Sequence, residues 1–331
     1  MNEKFLDFIQ QFRTQAIAVA VSGGVDSICL LHWLAKLNLT PTVLHVNHCL
    51  RDAAVIEAQY VQDTCKVLGL PCKIFCWTDD KPITGLEAAA RDARYKMMTD
   101  WCHKNNVDTL MVAHQADDQI ETFLMNLARG SGVVGLSAMQ PISYRDGIKI
   151  VRPLLNVFRK ELIDYCKKNN IKYFSDEMNY DDKYTRVKIR QNRYLLSEKL
   201  GISDNRILLA IENLGRARDA LESGIESKIT NVLHGDYALF ADSFLFDEPT
   251  DIGLKLLGTL IKKIGGDCYQ PRLNSLNTAL NKLKSECKFT LGHCTIRHFK
   301  DQILIVPEGS KTSIRKKNEK LKRLKKIKQQ N

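Results

Sequence analysis

The sequence lacks several features that would assign it to a class at once. Its 331 residues contain no apolar run near the ~20 residues that a membrane helix needs. The ten cysteines include no Cys-x-x-Cys pair, which argues against a zinc ribbon and against an iron–sulfur cluster built on such pairs. The first residues show no basic segment followed by an apolar one. We therefore expect a cytoplasmic protein with reduced thiols, without a membrane span or a secretory signal.

Positive charge is concentrated in one segment of the chain. The formal net charge is +11, yet residues 1–310 contain 39 basic and 37 acidic residues. Residues 311–331 contain ten Lys or Arg and one Glu, a net charge of +9. This composition indicates a basic arm that binds nucleic acid or an anionic membrane surface. A solubilising tail is the alternative interpretation.

Short apolar runs alternate with helical patterns through the first half of the chain. The predicted strands cover 16–21, 42–46, 72–77, 109–113 and 148–151. The predicted helices cover 26–36, 53–68, 85–105, 117–129 and 159–169. This alternation predicts an α/β fold with a doubly wound, mainly parallel sheet and helices on both faces. Ligands of such a sheet bind at the carboxyl ends of its strands.

The pattern changes after about residue 181. A basic helical stretch is predicted over 182–200, a long helix over 204–229, and a β-hairpin over 289–297 and 302–306. We therefore expect a catalytic domain, a basic helical connector, a small α+β domain and a basic tail. Their predicted limits are 1–185, 186–205, 206–310 and 311–331.

The segment Ser22-Gly23-Gly24-Val25-Asp26-Ser27 follows the first predicted strand and begins the first helix. Its two glycines allow a tight turn and close approach of a ligand, and the N–H groups at a helix start bind anions. Because Gly-Lys-Ser/Thr is missing, this phosphate-binding loop is not a Walker A loop. A carboxylate beside phosphates is repelled unless it holds Mg²⁺ or a cationic group, which makes Asp26 a candidate for either role.

Three more segments accompany this loop: residues 45–51 (HVNHCLR), 87–95 (EAAARDARY) and 113–122 (AHQADDQIET). The loop resembles the PP-loop of the N-type ATP pyrophosphatases. Together, the four segments resemble the tRNA(Ile)-lysidine synthetase family over about residues 15–195. The region 206–310 is more weakly similar to the first C-terminal domain of that family.

The resemblance implies an ATP-dependent ligase. In the family, ATP adenylates the C2 carbonyl oxygen of the wobble cytidine in an isoleucine tRNA with a CAU anticodon, and pyrophosphate leaves. The ε-amine of free L-lysine then attacks C2, AMP leaves, and lysidine results. The expected cofactors are ATP and Mg²⁺, and the expected partners are this tRNA and L-lysine. The family often dimerises, so a homodimer is one expectation, and residues 206–310 with the basic tail would grip the tRNA.

The resemblance also distributes roles over the matching residues. ATP binding is expected of Ser22, Gly23, Gly24, Val25, Asp26, Ser27, His45, Asn47, Arg91 and His114. Catalytic roles are expected of Asp26, Arg91 and Asp118, with Asp26 either holding Mg²⁺ or orienting the amine. Asp118 and Glu121 lie three residues apart on one helix face and, with Asp117, are expected to bind the lysine ammonium. A solvated helix start is the alternative for these acids. The tRNA is expected to contact Arg94, Arg186 and Arg190.

The sequence departs from the family pattern at four points. Cys49 replaces a usual Gly, which predicts a slightly altered loop because a side chain disfavours positive φ. Gln115 stands where His is common, and both can donate a hydrogen bond. Val187 replaces a usual Asn and removes a polar contact beside Arg186. The chain is also short, so the resemblance implies a form without the second C-terminal domain that long members carry.

Two alternatives belong to other classes of function. Another PP-loop enzyme that modifies tRNA, such as a thiolase, typically needs paired or catalytic cysteines. The missing Cys-x-x-Cys counts against it, although Cys49 lies near the predicted site. A non-catalytic tRNA-binding protein would be expected to have lost Asp26 or Asp118, and both are present.

Overall fold

A computed structural model describes residues 3–49, 53–79, 81–82, 84–174, 185–267, 269–285 and 287–309. The chain divides into two compact units, residues 1–218 and 219–331. The roles and limits predicted for the domains stay predictions. Among the helices described, none has the length and apolar character that crossing a membrane requires.

The first unit contains six strands: β1 (Ile17–Ala20), β2 (Thr42–Asn47), β3 (Cys72–Cys76), β4 (Thr109–Met111), β5 (Ile142–Arg145) and β6 (Ile148–Val151). Its helices before β6 are α1 (Glu3–Gln10), α2 (Val25–Lys36), α3 (Ala53–Leu68), α4 (Leu86–Lys104), α5 (Ala116–Ala128) and α6 (Val133–Leu136). After β6 come α7 (Arg159–Lys168), α8 (Thr185–Asn192), α9 (Tyr194–Leu200) and α10 (Asp204–Thr230), which continues beyond residue 218.

The six strands form one sheet in the order β3-β2-β1-β4-β6-β5. All neighbours pair in parallel except β5, which pairs antiparallel with β6. The predicted α/β fold with a mainly parallel sheet is therefore confirmed. Strand β1 lies between β2 and β4, so the strand order reverses there. In sheets of this kind, ligands bind at the carboxyl ends of the strands at such a reversal.

Apolar side chains cover both faces of this sheet, as expected when parallel strands are enclosed by helices. On one face, α1, α2 and α7 pack together: the rings of Phe5 and Trp33 lie 4.8 Å apart, and those of Trp33 and Tyr165 lie 5.6 Å apart. A second cluster joins α4 to the sheet through Met98, Leu110 and other buried residues. The two clusters hold the carboxyl ends of the strands in fixed positions.

Some elements of the first unit differ from the sequence prediction. The helix α1 was not predicted, although its buried residues Phe5 and Ile9 stand at helical spacing. The antiparallel edge strand β5 was not predicted because its four residues give a weak periodic signal. The basic stretch predicted as one helix over 182–200 is two helices, α8 and α9, which meet at Arg193.

The second unit contains β7 (Ala238–Phe240), α11 (Ser243–Phe246), α12 (Thr250–Gly265), α13 (Leu273–Lys284), β8 (Phe289–Leu291), β9 (Cys294–Phe299) and β10 (Gln302–Pro307). Its strands form an antiparallel sheet in the order β7-β10-β9-β8. The predicted hairpin is present as β9 and β10, which pair antiparallel. A turn at Gly292 and His293, both with positive φ, divides its predicted first arm, residues 289–297, into two strands. Helix α12 supplies much of the core, with Leu256, Leu257, Leu260 and Ile261 fully buried.

Candidate active site

The phosphate-binding loop connects β1 to α2 at the reversal of strand order. Gly23 has φ +95°, a conformation that strongly favours glycine. The Ser27 hydroxyl accepts a hydrogen bond from the Ser22 N–H (3.1 Å) and donates one to the Gly24 carbonyl (3.0 Å). The loop is tied from outside by the Phe174 N–H, which donates to the Gly23 carbonyl at 3.0 Å. The loop is therefore rigid before any ligand binds.

Asp26 lies in the first turn of α2, next to this loop. Its Oδ1 atom is buried and has no hydrogen-bond partner among the described residues. Burial raises the pKa of Asp26 to about 6, and the charges of Asp118 and Asp117 contribute in the same direction, whereas Arg159 and Arg190 lower it. Asp26 is thus near enough to the start of α5, where the predicted lysine-binding residues lie, for their charges to affect its pKa.

The end of β2 brings His45 and Asn47 to the same edge of the sheet. The His45 ring donates a hydrogen bond from Nδ1 to the Val21 carbonyl at 2.8 Å, and its burial lowers the pKa of the imidazole. Asn47 accepts the Cys49 N–H at 2.8 Å and donates to the Ala54 carbonyl at 3.3 Å. Cys49 has φ +52°, so the loop keeps a left-handed residue there although a side chain is present.

A group of cationic side chains lies between α4 and the end of β4. The guanidinium carbons of Arg91, Arg94 and Arg145 lie 5.5, 5.6 and 4.6 Å from the centre of the Tyr95 ring. Burial, with the charges of Arg152, Arg91 and Arg94 among others, lowers the pKa of His114 to about 3. The Nδ1 atom of His114 is buried without a hydrogen-bond partner in the described part of the chain. This region can therefore receive an anion beside a neutral imidazole.

Helix α5 begins with a capping box that orients its acidic residues. The Gln115 side chain accepts the Asp117 N–H at 2.6 Å, and Asp118 Oδ2 accepts the Gln115 N–H at 3.0 Å. Gln115 thus acts here as a hydrogen-bond acceptor. Burial raises the pKa of Asp118, although the Gln115 N–H, Arg186 and Arg190 oppose the shift. Asp118 and Asp26 are consequently two desolvated carboxyl groups close enough to influence each other.

Glu121 lies one turn further along α5 and is completely buried. Arg190 donates to both of its carboxylate oxygens, at 2.8 and 3.3 Å, and the Nε atom of Arg186 lies 3.1 Å from Oε2. Val187, which lies between these two arginines in the sequence of α8, is buried. A lysine-binding role for Glu121 would require these ion pairs to open. The roles predicted for Glu121, Arg186 and Arg190 stay predictions.

Comparison with known proteins decides the family. The model of a PP-loop domain family matches residues 1–195. A tRNA(Ile)-lysidine synthase from Wolbachia pipientis wMel is 40% identical over 312 residues, which cover 91% of this chain and 72% of that relative. The chain belongs to the tRNA(Ile)-lysidine synthase family. Another lysidine synthase, from Ruegeria pomeroyi, is 38% identical over 287 residues, covering 85% of this chain and 68% of that protein.

A likeness to a solved structure supports the fold of this lysidine synthase family member. The U34-tRNA thiolase NcsA from Methanococcus maripaludis superposes with a TM-score of 0.54 at 18% identity, covering 64% of this chain and 78% of that one. At this identity the likeness shows the fold alone. The relatives named as lysidine synthases do not favour the thiolase alternative.

The fit of Mg²⁺ to the site can be judged from the surroundings of Asp26. No group of three or more His, Cys, Asp or Glu side chains among the described residues is arranged to hold a metal ion. Mg²⁺, however, is commonly bound by one or two carboxylates together with substrate phosphates and water. The unpartnered Oδ1 of Asp26 beside the phosphate-binding loop suits that manner of binding.

The structure brings most of the predicted residues of the lysidine synthase site to one edge of the sheet, and it adds residues that the motifs do not contain. The Arg159 N–H donates to Asp117 Oδ2 at 2.9 Å, and the guanidinium of Arg193 binds Asp117 Oδ1. Both residues lie outside the motifs and far from Asp117 in sequence. The only sequence signal for these contacts was the presence of Arg193 in the basic stretch 182–200.

Proposed function

We propose that this chain ligates free L-lysine to C2 of the wobble cytidine in an isoleucine tRNA with a CAU anticodon. The cytidine C2 carbonyl oxygen attacks the α-phosphorus of ATP, and the bond to pyrophosphate breaks. The ε-amine of lysine then attacks C2, loses a proton, and displaces AMP. The observation that supports this proposal is the unpartnered, buried Oδ1 of Asp26 beside the phosphate-binding loop, together with Asp118 in the first turn of α5, in a chain of this family.

In this proposal the loop from Ser22 to Ser27 binds the phosphates of ATP through backbone N–H groups at the start of α2. Asp26 would hold Mg²⁺, which would neutralise phosphate charge and assist departure of pyrophosphate. His45 and Asn47, at the end of β2, would line the adenosine side of the site. His114 would contact the same nucleotide as a neutral hydrogen-bonding group, since its pKa of about 3 keeps it uncharged at neutral pH.

We assign the lysine ammonium to Asp118. Both oxygens of Asp117 are already bound by Arg193 and the Arg159 N–H, and Glu121 is enclosed by Arg186 and Arg190. Asp118 has one oxygen engaged by the Gln115 N–H, and its raised pKa reflects a desolvated carboxyl group. A charged amine is the ligand that best compensates such a group.

The arginines near Tyr95 suit the anionic partners of the reaction. Arg91 would stabilise the charge that develops on the adenylated cytidine, and Arg94 would contact the tRNA backbone. The wobble base must leave the anticodon stack to react, at a cost of a few kcal/mol. Binding of the tRNA body by residues 206–310 and the basic tail would offset this cost. The proposed compartment is the cytoplasm.

The direct test is incorporation of labelled lysine into tRNA. The protein is incubated with ATP, Mg²⁺, radiolabelled lysine and isoleucine tRNA with a CAU anticodon, and acid-precipitable label is counted. Elongator methionine tRNA, which has the same anticodon, is run beside it. Asp118→Asn is expected to abolish incorporation, whereas the matched change Asp63→Asn on the exposed face of α3 leaves it intact.

Label in the isoleucine tRNA alone would support both the reaction and the tRNA selectivity. Label in both tRNAs would support the reaction and contradict the selectivity. Release of pyrophosphate without incorporation of lysine would indicate another nucleophile and contradict the proposal.

A further inference from the structure

Arg193 forms a bridge between three helices of the first unit. It lies between α8 and α9, and its Nη2 atom binds Asp117 on α5 and Asp204 Oδ2 on α10, the latter at 3.0 Å. Its side chain is 17% exposed and that of Asp117 is 18% exposed, so solvent screens this pair poorly. The second oxygen of Asp117 accepts the first N–H of α7. Both carboxylate oxygens of Asp117 therefore accept hydrogen bonds.

Asp117 immediately precedes Asp118, the carboxylate assigned to lysine. The Asp117 N–H is held by the Gln115 side chain, and Asp118 holds the Gln115 N–H, so the two acids share one capping box. Without Arg193, Asp117 would be a half-buried carboxylate lacking its guanidinium partner, next to two other carboxyl groups. It would rearrange or compete with Asp118 for the lysine ammonium.

We propose that Arg193 is a positioning residue for lysine: by holding Asp117, it fixes the first turn of α5 and keeps Asp118 as the carboxylate available to the amine. The proposal rests on the proposed function. It assigns Arg193 no contact with substrate. Arg193 therefore affects the step that uses lysine and leaves the adenylation step, which depends on the loop and Asp26, largely unchanged.

The test separates the two half-reactions. Arg193→Gln is expected to lower kcat/KM for lysine about tenfold, while tRNA-dependent exchange of pyrophosphate into ATP changes less than twofold. Arg193→Lys retains a cation, so it is expected to lower kcat/KM for lysine less than Arg193→Gln does. The matched control is Lys66→Gln, which breaks an exposed pair with Asp63 on α3 and is expected to change neither rate.

A double variant distinguishes positioning through Asp117 from a general effect on folding. In Asp117→Asn/Arg193→Gln the carboxylate next to Asp118 is removed together with its guanidinium partner, so kcat/KM for lysine should match or exceed that of Arg193→Gln alone. A loss equal to the product of the two single losses would overturn the proposal. Equal losses in the rate of pyrophosphate exchange and in kcat/KM for lysine would also overturn the proposal. If Arg193→Gln does not fold, the same comparison is made with Arg193→Lys.

The outcome for the wild-type protein keeps the two proposals distinguishable. Wild-type protein that incorporates no lysine would refute the proposed function and, with it, the role of Arg193. Wild-type incorporation combined with unchanged lysine dependence in Arg193→Gln would refute the role of Arg193 alone.

Discussion

Individual residues of the candidate site retain polar atoms that the fold does not satisfy. Asp26 Oδ1, His48 Nδ1 and His114 Nδ1 are buried without hydrogen-bond partners among the described residues. A buried polar atom without a partner is costly, so such atoms are rare unless a ligand completes them. These three atoms lie on residues at or beside the carboxyl ends of β1, β2 and β4, where nucleotides bind in sheets of this kind.

Asp26 gives a prediction for stability at the scale of one residue. Its pKa is about 6 in the folded chain and 3.8 without burial, so the folded state holds the proton more tightly. Ionisation of this buried carboxyl group lowers the free energy of unfolding. The loss is absent below pH 3.8, develops as the pH rises through 6, and is complete at pH 7.5. Asp26→Asn is therefore expected to stabilise the protein by about 2 kcal/mol at pH 7.5 while abolishing lysidine formation.

Urea denaturation at pH 7.5 and pH 3.5 measures this effect. The gain should disappear at the lower pH, and Asp63→Asn serves as the surface control. An Asp26→Asn variant less stable than the wild type at pH 7.5 would contradict the assigned desolvation.

Helices α5 and α8 are joined by charge as well as by packing. Glu121 is fully buried, whereas the side chains of Arg186 and Arg190 are 40% and 33% exposed. Removing the acid leaves two guanidinium groups without their shared partner. Glu121→Gln is expected to lower the free energy of unfolding by about 2 kcal/mol, the partial exposure of both arginines reducing the effect of a fully buried pair.

The measurement is again urea denaturation. Glu212→Gln, which breaks an exposed pair on α10, is the matched variant and should change stability by at most about 0.5 kcal/mol. Equal effects of the two substitutions would show that the ion pairs of Glu121 with Arg186 and Arg190 contribute little to the free energy of unfolding.

The elements also show how far the sequence predicts this molecule. The parallel strands and their helices were predicted because buried strands form continuous apolar runs and the loops after β1, β2 and β4 contain motif residues. The partners of Asp117 were not predictable, because Arg193 is 76 positions away and reaches it only through the packing of α8 and α9 on α5. The strand boundary at Gly292 was missed because β8 has only three residues, too few for a periodic signal.

At the scale of the whole molecule, positive charge is concentrated at one end of the chain. Residues 1–310 are nearly neutral in total, and the basic segment 311–331 lies outside the described residues. Contacts of basic side chains with phosphates release counterions, so they weaken as salt increases. The residues that we propose for the chemistry lie on α2 and α5, apart from this segment in the sequence.

Removal of residues 311–331 is expected to raise the KM for tRNA and to reduce its dependence on salt, with the KM values for ATP and lysine unchanged. Steady-state kinetics between low and physiological salt provide the measurement. A full-length variant with the ten basic residues of this segment changed to Gln separates charge from chain length. Loss of all activity on deletion would instead make the segment the principal functional element.

The edges of the six-stranded sheet have a consequence for handling the protein at high concentration. Exposed edge strands can recruit strands from other molecules, and charged side chains at an edge oppose this. Lys73 is exposed on the edge strand β3, and Arg145 ends the opposite edge strand β5, bound to Asp92 at 2.7 Å. A charged side chain therefore stands on each edge strand, where it opposes pairing with strands of other molecules.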